Sequence, residues 1–175
     1  CGIFERPDSS LEEASTAKYE RICHKLGLGP EDHVLEIGCG WGGFAVYGAR
    51  RGVKVTGITL SREQHDYAKA RVFSAGLDRQ ADIRLCDYRS VQGQYDHIVS
   101  IEMFEAVGEE YWPTYMEKIR QCLRPGGTAA LQVITIDGEL LEIGSAALDS
   151  PGYDLLALMT GSEGLLGVIT GITVK

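Results

Sequence analysis

Two hydrophobic patterns alternate along the first 136 residues of this 175-residue chain. Short apolar runs are typical of buried strands and predict β-strands at about residues 33–37, 53–58, 83–86, 95–101 and 128–134. Between them, apolar residues recur every three to four positions, which predicts helices at about residues 11–26, 41–51, 62–74 and 113–123. Ser61-x-x-Gln64 is a predicted capping box for the third helix. Because strands that alternate with helices form parallel sheets, we predict an α/β fold with helices on both faces of the sheet.

The first predicted strand leads into a glycine-rich turn, E-I-G-C-G-W-G-G at residues 36–43. A strand, a tight turn and a helix N-terminus bring backbone N–H groups together on a ligand. The spacing of Gly38, Gly40 and Gly43 also matches the dinucleotide-binding fingerprint. A nicotinamide site uses an acid after the second strand to bind the ribose, whereas residues 59–61 here are T-L-S. The E-x-G-x-G pattern that begins at Glu36 instead resembles motif I of S-adenosylmethionine-dependent methyltransferases, in which the acid faces the methionine end of the cofactor.

Charge and cysteine usage narrow the class of protein. The chain carries 17 Lys and Arg against 25 Asp and Glu, and it has no basic run, so we predict no nucleic-acid partner. No apolar stretch approaches the roughly 18 residues needed to span a bilayer. The five cysteines are scattered and the four histidines are isolated, which predicts no metal site and favours a reducing, cytosolic compartment. The length fits about one domain, and the first residue is not Met, so we interpret the chain as a fragment.

Further motifs follow the later strands: G-I-T-L-S-x-x-Q at 57–64, C-D-Y-R at 86–89, F-E-A-V-G at 104–108 and L-R-P-G-G at 123–127. Together with G-C-G-W-G-G at 38–43 and C-G-I-F-E at 1–5, they resemble the cyclopropane-fatty-acyl-phospholipid synthase family, which includes the mycolic acid cyclopropane synthases. The resemblance covers residues 1–136. It implies a Rossmann-like class I methyltransferase domain that is truncated at its C-terminus. It also implies methyl transfer from S-adenosylmethionine to the cis double bond of a phospholipid acyl chain, with closure of a cyclopropane ring.

The resemblance also implies a set of cofactor contacts near the carboxyl ends of the strands, where ligands of open α/β sheets bind. These predicted residues are Glu36, Gly38, Cys39, Gly40, Trp41, Gly42, Thr59, Leu60, Ser61, Gln64, Asp87 and Tyr88. An apolar-aromatic group after the fourth strand either lines an acyl channel or packs within the fold: Met103, Phe104, Tyr111 and Trp112.

In the family, a bound bicarbonate is thought to remove the proton from the carbocation that methyl transfer leaves on the acyl chain. The resemblance implies that Glu105, backbone near Cys1, Gln132 and Ile134 hold this anion. Ala106 and Gln132 stand where family members commonly have histidine. The family's tyrosine ligand and the cover for the acyl chain would lie beyond residue 136, and the sequence there does not contain them.

The last 39 residues differ in character, with six acids and one base between residues 137 and 175. G-S-E-G-L-L-G-V-I-T at 161–170 resembles the flavin-binding domain of glycolate oxidase-type FAD-linked oxidases. Since this segment is too short for that fold, we predict no FAD site. We interpret it as an unrelated, fused or rearranged tail that can add an edge strand, for example at 166–174.

Three alternatives stay open. In the first, the chain is a methyltransferase for another small or lipid substrate. In the second, it is a catalytically dead protein that binds S-adenosylmethionine, and in the third it is a nicotinamide or flavin oxidoreductase. For the leading hypothesis we expect a lipid acyl chain as the partner, transient contact with a membrane surface from the cytoplasmic side, and scope for self-association into homo-oligomers.

Overall fold

The computed structural model describes residues 2–132 and 173–174, and it describes the side chains of residues 2–132 except those of Glu105 and Glu109. The predicted site residues Cys1 and Ile134 lie outside the described residues, as does nearly all of the 137–175 tail. Four helices are described: α1 Leu11–Leu26, α2 Gly43–Arg50, α3 Arg62–Ser74 and α4 Trp112–Cys122. The strands are β1 His33–Ile37, β2 Lys54–Thr59, β3 Ala81–Leu85, β4 Tyr95–Ile101, β5 Leu123–Gln132 and β6 Thr173–Val174.

The strands form one sheet in the order β3-β2-β1-β4-β5-β6, and β1 to β5 are parallel. This confirms the predicted parallel α/β fold. Ile37 pairs with both Ile58 and Ser100, so β1, β2 and β4 end nearly level at one edge. The strand order runs from β1 to β3 on one side and from β4 onward on the other. Where the order changes direction in this way, a parallel sheet leaves a crevice at the carboxyl ends of its strands, and ligands bind there.

Side chains alternate between two cores, one on each face of the sheet. On one face, Val34 of β1 packs with Phe44 of α2 and residues of α1 and α3. On the other, Leu35 and Ile37 pack with Tyr115 of α4. Because successive residues of a strand face opposite ways, Glu36 faces the same side as Val34. This alternation places its carboxylate under α1 and α2.

Local capping sets the helix ends. Ser10 and Glu13 form a complete capping box at the start of α1, with bonds of 3.2 and 2.7 Å, which the sequence analysis had not identified. At α3 the predicted box is only half formed. The Ser61 hydroxyl accepts a hydrogen bond from the Gln64 N–H at 3.2 Å, but the Gln64 side chain bonds to Thr59 instead. Gly76, just beyond α3, has φ +68°, as a helix-closing glycine should.

The largest difference from the predicted elements is at β5. We predicted a strand from residue 128, whereas β5 begins at Leu123, immediately after α4. Leu123 pairs with Tyr95 and Thr128 pairs with His97, so residues 124–127 form a bulge in the ladder. The R-P-G-G sequence explains this bulge, since Pro125 cannot donate to the ladder and Gly126 has φ +82°.

At the sheet edge, Thr173 and Val174 pair antiparallel with Ala130 and Ala129 of β5. The rest of the edge strand proposed for residues 166–174 lies outside the described residues. Across the part of the chain that is described, no helix combines the length and apolar character needed to cross a membrane.

Candidate cofactor site

A cleft of about 280 Å³ lies at the carboxyl ends of β1, β2 and β4. Six of the predicted cofactor residues line it: Gly38, Thr59, Leu60, Ser61, Gln64 and Tyr88. Four further lining residues were not predicted as cofactor contacts: Ile37, Ile58, Cys86 and Met103. The lining combines apolar side chains with a few polar groups, which is the usual composition of a small-molecule site.

The glycine turn forms one wall of this cleft. The N–H groups of Gly38 and Cys39 both donate to the Ile58 carbonyl, at 3.0 and 2.8 Å, and so tie the turn to the end of β2. Gly38 has φ +81°, and a Cβ there would lie 2.7 Å from Cγ of Met103. A Cβ on Gly40, at φ +50°, would meet nothing within 4 Å. The turn therefore needs glycine at 38 for close packing, whereas the surroundings of Gly40 are open.

Glu36 does not line the cleft. It is 2% exposed, and one carboxylate oxygen accepts a hydrogen bond from the Ala45 N–H in the first turn of α2. Its Oε2 has no hydrogen-bond partner among the described residues. Burial raises the pKa of Glu36 well above its usual value, opposed by the Ala45 hydrogen bond and the nearby charge of Lys18. The acid of the motif thus binds the helix N-terminus in this structure.

Three other residues of the motif lie beside the cleft rather than along its lining. Cys39 is buried, and burial raises the pKa of its thiol to about 12, so the thiolate is disfavoured. Trp41 is exposed, and its ring meets Tyr67 edge-on with centroids 5.3 Å apart. A Cβ on Gly42, at φ +75°, would lie 2.9 Å from the Cβ of Ala68, so this glycine allows α3 to approach the turn.

A hydrogen-bond network holds the T-L-S-x-x-Q residues in place. The Thr59 hydroxyl donates to Oε1 of Gln64 at 2.8 Å and accepts from the Ser61 N–H at 3.2 Å. The Ser61 hydroxyl also donates to Glu63 at 2.7 Å. The network fixes the Gln64 amide at the rim of the cleft, which suits recognition of hydroxyl groups.

Asp87 and Tyr88, adjacent in sequence, have different positions. The Asp87 carboxylate caps the 3₁₀ turn Tyr88–Ser90 through the Arg89 N–H at 2.8 Å, and pairs with the Arg89 guanidinium at 2.6 Å. These bonds with Arg89 lower the pKa of Asp87. Tyr88 lines the cleft and packs edge-on against Tyr115. Tyr88 is therefore in a position to contact a ligand, while Asp87 holds the turn that carries it.

The segment after β4 forms the opposite wall. Met103 lines the cleft, and Glu105 follows on the 3₁₀ turn Phe104–Ala106. Phe104 stacks on Trp112 with centroids 5.1 Å apart, and the Trp112 N–H donates to the Val107 carbonyl at 2.8 Å. Phe104 and Trp112 thus pack within the fold, Tyr111 is half exposed, and only Met103 of the predicted group reaches the cleft.

Gln132 lies at the end of β5, next to the same segment. It pairs with Ile101, and its carbonyl accepts a hydrogen bond from the Glu102 N–H at 2.8 Å. The sheet therefore brings the backbones of Gln132 and the Glu105 turn to the same edge. Across the described residues, no three His, Cys, Asp or Glu side chains are placed to hold a metal ion.

Near this wall lies a residue that the sequence did not single out as a candidate, Lys18, together with Glu102, whose place at the carboxyl end of β4 the sequence does predict. Lys18 of α1 is buried and bonds to Glu102 at 2.8 Å. The signal for Lys18 was present in the sequence, since it lies four residues after Ala14 and four before Ile22 on the buried face of α1. A lysine on that face requires a partner, but the sequence does not show which acid it is.

The parallel sheet, the glycine turn and the cleft at the strand ends define a class I S-adenosylmethionine-dependent methyltransferase fold. A solved structure of this fold, mycolic acid cyclopropane synthase CmaA1 complexed with SAH and CTAB, superposes with a TM-score of 0.71 and 32% identity, over 75% of this chain and 46% of that one. Residues 1–144 match the family model for mycolic acid cyclopropane synthetase. The chain belongs to this family, as the sequence motifs predicted.

Two curated relatives show the range of the family. Tuberculostearic acid methyltransferase UfaA1 of Mycobacterium tuberculosis is 45% identical over 128 residues, which cover 73% of this chain and 30% of the relative. Cyclopropane-fatty-acyl-phospholipid synthase of Escherichia coli (strain K12) is 44% identical over 135 residues, covering 77% of this chain and 34% of the relative. The chain therefore spans about a third of the length of these relatives.

The predicted resemblance of residues 137–175 to FAD-linked oxidases is not borne out. The family match continues past the boundary that we placed after residue 136 and ends at residue 144. A match of ten residues, 161–170, was too short a basis for that resemblance.

Proposed function

We propose that this chain binds S-adenosylmethionine in the cleft and provides the cofactor-binding part of an enzyme that methylates lipid acyl chains. The observation that carries the proposal is that Gly38, the T-L-S-x-x-Q residues and Tyr88, distant in sequence, line one cleft at the strand ends. Two kinds of relative add support: a cyclopropane synthase solved with SAH, and lipid-modifying enzymes that are 44 and 45% identical.

The residues present fit this cofactor. The open space at Gly40 leaves room beside the turn, and Gln64 and Tyr88 offer polar and aromatic contacts along the cleft. The remaining predicted residues act on the same site indirectly: we propose that Glu36, Cys39, Trp41 and Gly42 support the glycine turn, and that Asp87 supports Tyr88. When bound, the cofactor supplies an electrophilic methyl group on its sulfonium.

The chain's own residues then have to position the acyl chain and handle a proton. Ile37, Ile58, Leu60 and Met103 give the cleft an apolar lining that disfavours water, which suits an alkene and the cation formed from it. We propose that Glu105, with backbone near Cys1, Gln132 and Ile134, holds a bicarbonate that accepts the proton as the ring closes. The adjacency of the Glu105 turn and Gln132 at the sheet edge supports this arrangement.

Within this activity, we also propose a specific product and a specific class of lipid substrate. We favour cyclopropane formation on a cis-unsaturated phospholipid, with transient contact between the protein and the cytoplasmic surface of a membrane. Methylation without ring closure is the second candidate, because the relative named as a methyltransferase and the one named as a cyclopropane synthase are about equally similar to this chain.

Cofactor binding is tested by calorimetric titration of the 175-residue chain with S-adenosylmethionine and SAH, with NAD and FAD as comparisons. Gly40→Ala and Gly76→Ala form a matched pair: both glycines have positive φ, at +50° and +68°, and neither Cβ would meet an atom within 4 Å. The two variants should therefore lose similar stability from backbone strain alone. Only Gly40→Ala should weaken binding. Binding of NAD or FAD in preference, or no binding by a folded chain, would contradict the proposal.

Turnover is tested separately with vesicles of cis-monounsaturated phospholipid. Mass spectrometry should find a gain of one CH₂ unit per modified acyl chain, and NMR distinguishes ring protons from those of a methyl branch. Cofactor binding without any such product would favour the catalytically dead alternative for this chain.

A further inference from the structure

A buried ion pair joins α1 to the segment that follows β4. The ammonium of Lys18 lies 2.8 Å from Oε1 of Glu102, and the two side chains are only 9% and 27% exposed. The residues are 84 positions apart, so the bond connects two distant parts of the chain. A charge-assisted hydrogen bond in this sheltered position is stronger than a surface ion pair.

The backbone of Glu102 is in an unusual conformation. With φ +53°, it is the sole non-glycine residue with positive φ among the described residues. A side chain in the left-handed region is strained, and such strain persists only where neighbouring contacts hold it. The contacts that hold Glu102 include the Lys18 ion pair and the bond from the Glu102 N–H to the Gln132 carbonyl, 2.8 Å long.

This conformation determines where the following residues lie. Met103 comes directly after Glu102, and its side chain packs against Gly38 in the cleft. Glu105 follows within the 3₁₀ turn Phe104–Ala106. A change in φ at residue 102 would therefore rotate both the Met103 side chain and the turn that carries Glu105.

Helix α1 is also attached to the other wall of the cleft. Tyr19, adjacent to Lys18, contacts the Gly43 position so closely that a Cβ there would clash with its hydroxyl. Its ring also meets Phe44 edge-on, with centroids 6.0 Å apart. Tyr19 thus contacts the glycine turn and Lys18 bonds to the segment after β4, so two neighbouring residues of α1 contact both walls of the cleft.

We propose that Lys18 and Glu102 form a positioning pair that fastens the segment 102–106 to α1 and so fixes the geometry of the cofactor cleft. Neither side chain lines the cleft, so the pair acts through Met103 and the Glu105 turn. Losing the pair would populate states in which this wall is displaced, and the apparent affinity for ligand would fall in proportion to the competent fraction. The identity of the ligand rests on the proposed function, whereas the fastening of the segment does not.

The test uses Lys18→Met, Glu102→Gln and the double variant in the 175-residue chain, with two measurements. Hydrogen exchange without ligand should become faster in peptides covering 101–108 and stay unchanged in β2 and β3. SAH affinity should fall about fivefold or more in each single variant. The double variant should be no worse than either single variant, because both remove the same bond.

Two further variants separate the ion pair from other effects. Glu102→Gly relieves the backbone strain but removes the carboxylate, so it should still show fast exchange and weak binding. Glu117→Gln removes an exposed ion pair with Arg120 on α4 and should change neither measurement. Unchanged exchange in the single variants, or additive losses in the double variant, would overturn the proposal. If the wild-type chain fails to bind SAH, the proposed function fails, while the exchange measurement still tests the pair.

Discussion

The buried carboxyl group of Glu36 should make the stability of this protein depend on pH in a particular direction. Glu36 is 2% exposed, and its Oε2 has no hydrogen-bond partner among the described residues. Its position favours the protonated form, because burial raises its pKa well above the ordinary value of 4.5. The unfolded chain has no such constraint, so its carboxyl group ionises near that ordinary value.

The sign of the effect follows from this difference. Below about pH 4.5 the group is protonated in both states, and its contribution to folding is fully present. As the pH rises toward the folded pKa, the unfolded state loses its proton first, and stability falls by about 1.4 kcal/mol per pH unit. Between about pH 5 and about pH 6, Glu36 alone should therefore lower the free energy of unfolding, with a slope of at most about 1.4 kcal/mol per pH unit.

Glu36→Gln removes the titration while keeping the shape of the side chain. Urea unfolding of the wild type and this variant at several values between about pH 5 and about pH 6 gives the two profiles, and their difference isolates residue 36 from other groups. The wild type should lose stability relative to the variant as the pH rises over this range. Glu13→Gln is the control. Hydrogen bonds with Ser10 lower the pKa of Glu13, so its contribution to stability is lost only as the pH falls below about 4.5.

Parallel profiles for the wild type and Glu36→Gln would refute this reasoning. They would mean that the folded protein holds Glu36 ionised throughout the range, with Lys18 and the Ala45 N–H compensating for its burial. Lys18 would then be shared between Glu36 and Glu102. A profile as shallow in the Glu13→Gln control as in Glu36→Gln would also contradict the assignment to Glu36.

Three further predictions concern stability and are checked by urea unfolding. Gly42→Ala should cost about 2 kcal/mol or more, because its Cβ would lie 2.9 Å from that of Ala68 at φ +75°; a neutral effect would show that α3 shifts freely. Ser10→Ala removes the cap of α1 and should cost about 1 kcal/mol, and an equally stable variant would mean that this cap is replaced by water. Tyr115→Phe removes a 2.7 Å hydrogen bond to the Ser100 hydroxyl at a fully buried site and should cost about 1–3 kcal/mol, whereas a stabilised variant would contradict that role.

Much of the fold could be predicted from local pattern. The apolar period placed α1 at residues 11–26 and β4 at residues 95–101, with the bounds that the structure has. The motifs predicted that the ligand site lies at the carboxyl ends of the strands, because in a parallel sheet these ends share one edge. The bounds of these elements and the position of the glycine turn depend on short stretches of chain, so the periodicity, caps and glycines of the sequence predict them.

The directions of particular polar side chains depended on tertiary structure. The sequence placed Glu36 and Asp87 in the motifs of a cofactor site, but the fold directs one carboxylate to the Ala45 N–H and the other to Arg89. Each carboxylate bonds to donors that the folded backbone brings within reach, and a motif does not specify them.

The partner of Lys18 was decided in the same way. The period of α1 shows that this lysine lies on a buried face, but many acids along the chain could neutralise it. The sheet order brings the end of β4 beneath α1, and the left-handed backbone at Glu102 directs that carboxylate to the ammonium. Sequence alone determined that a partner was needed, and packing over 84 positions of chain selected it.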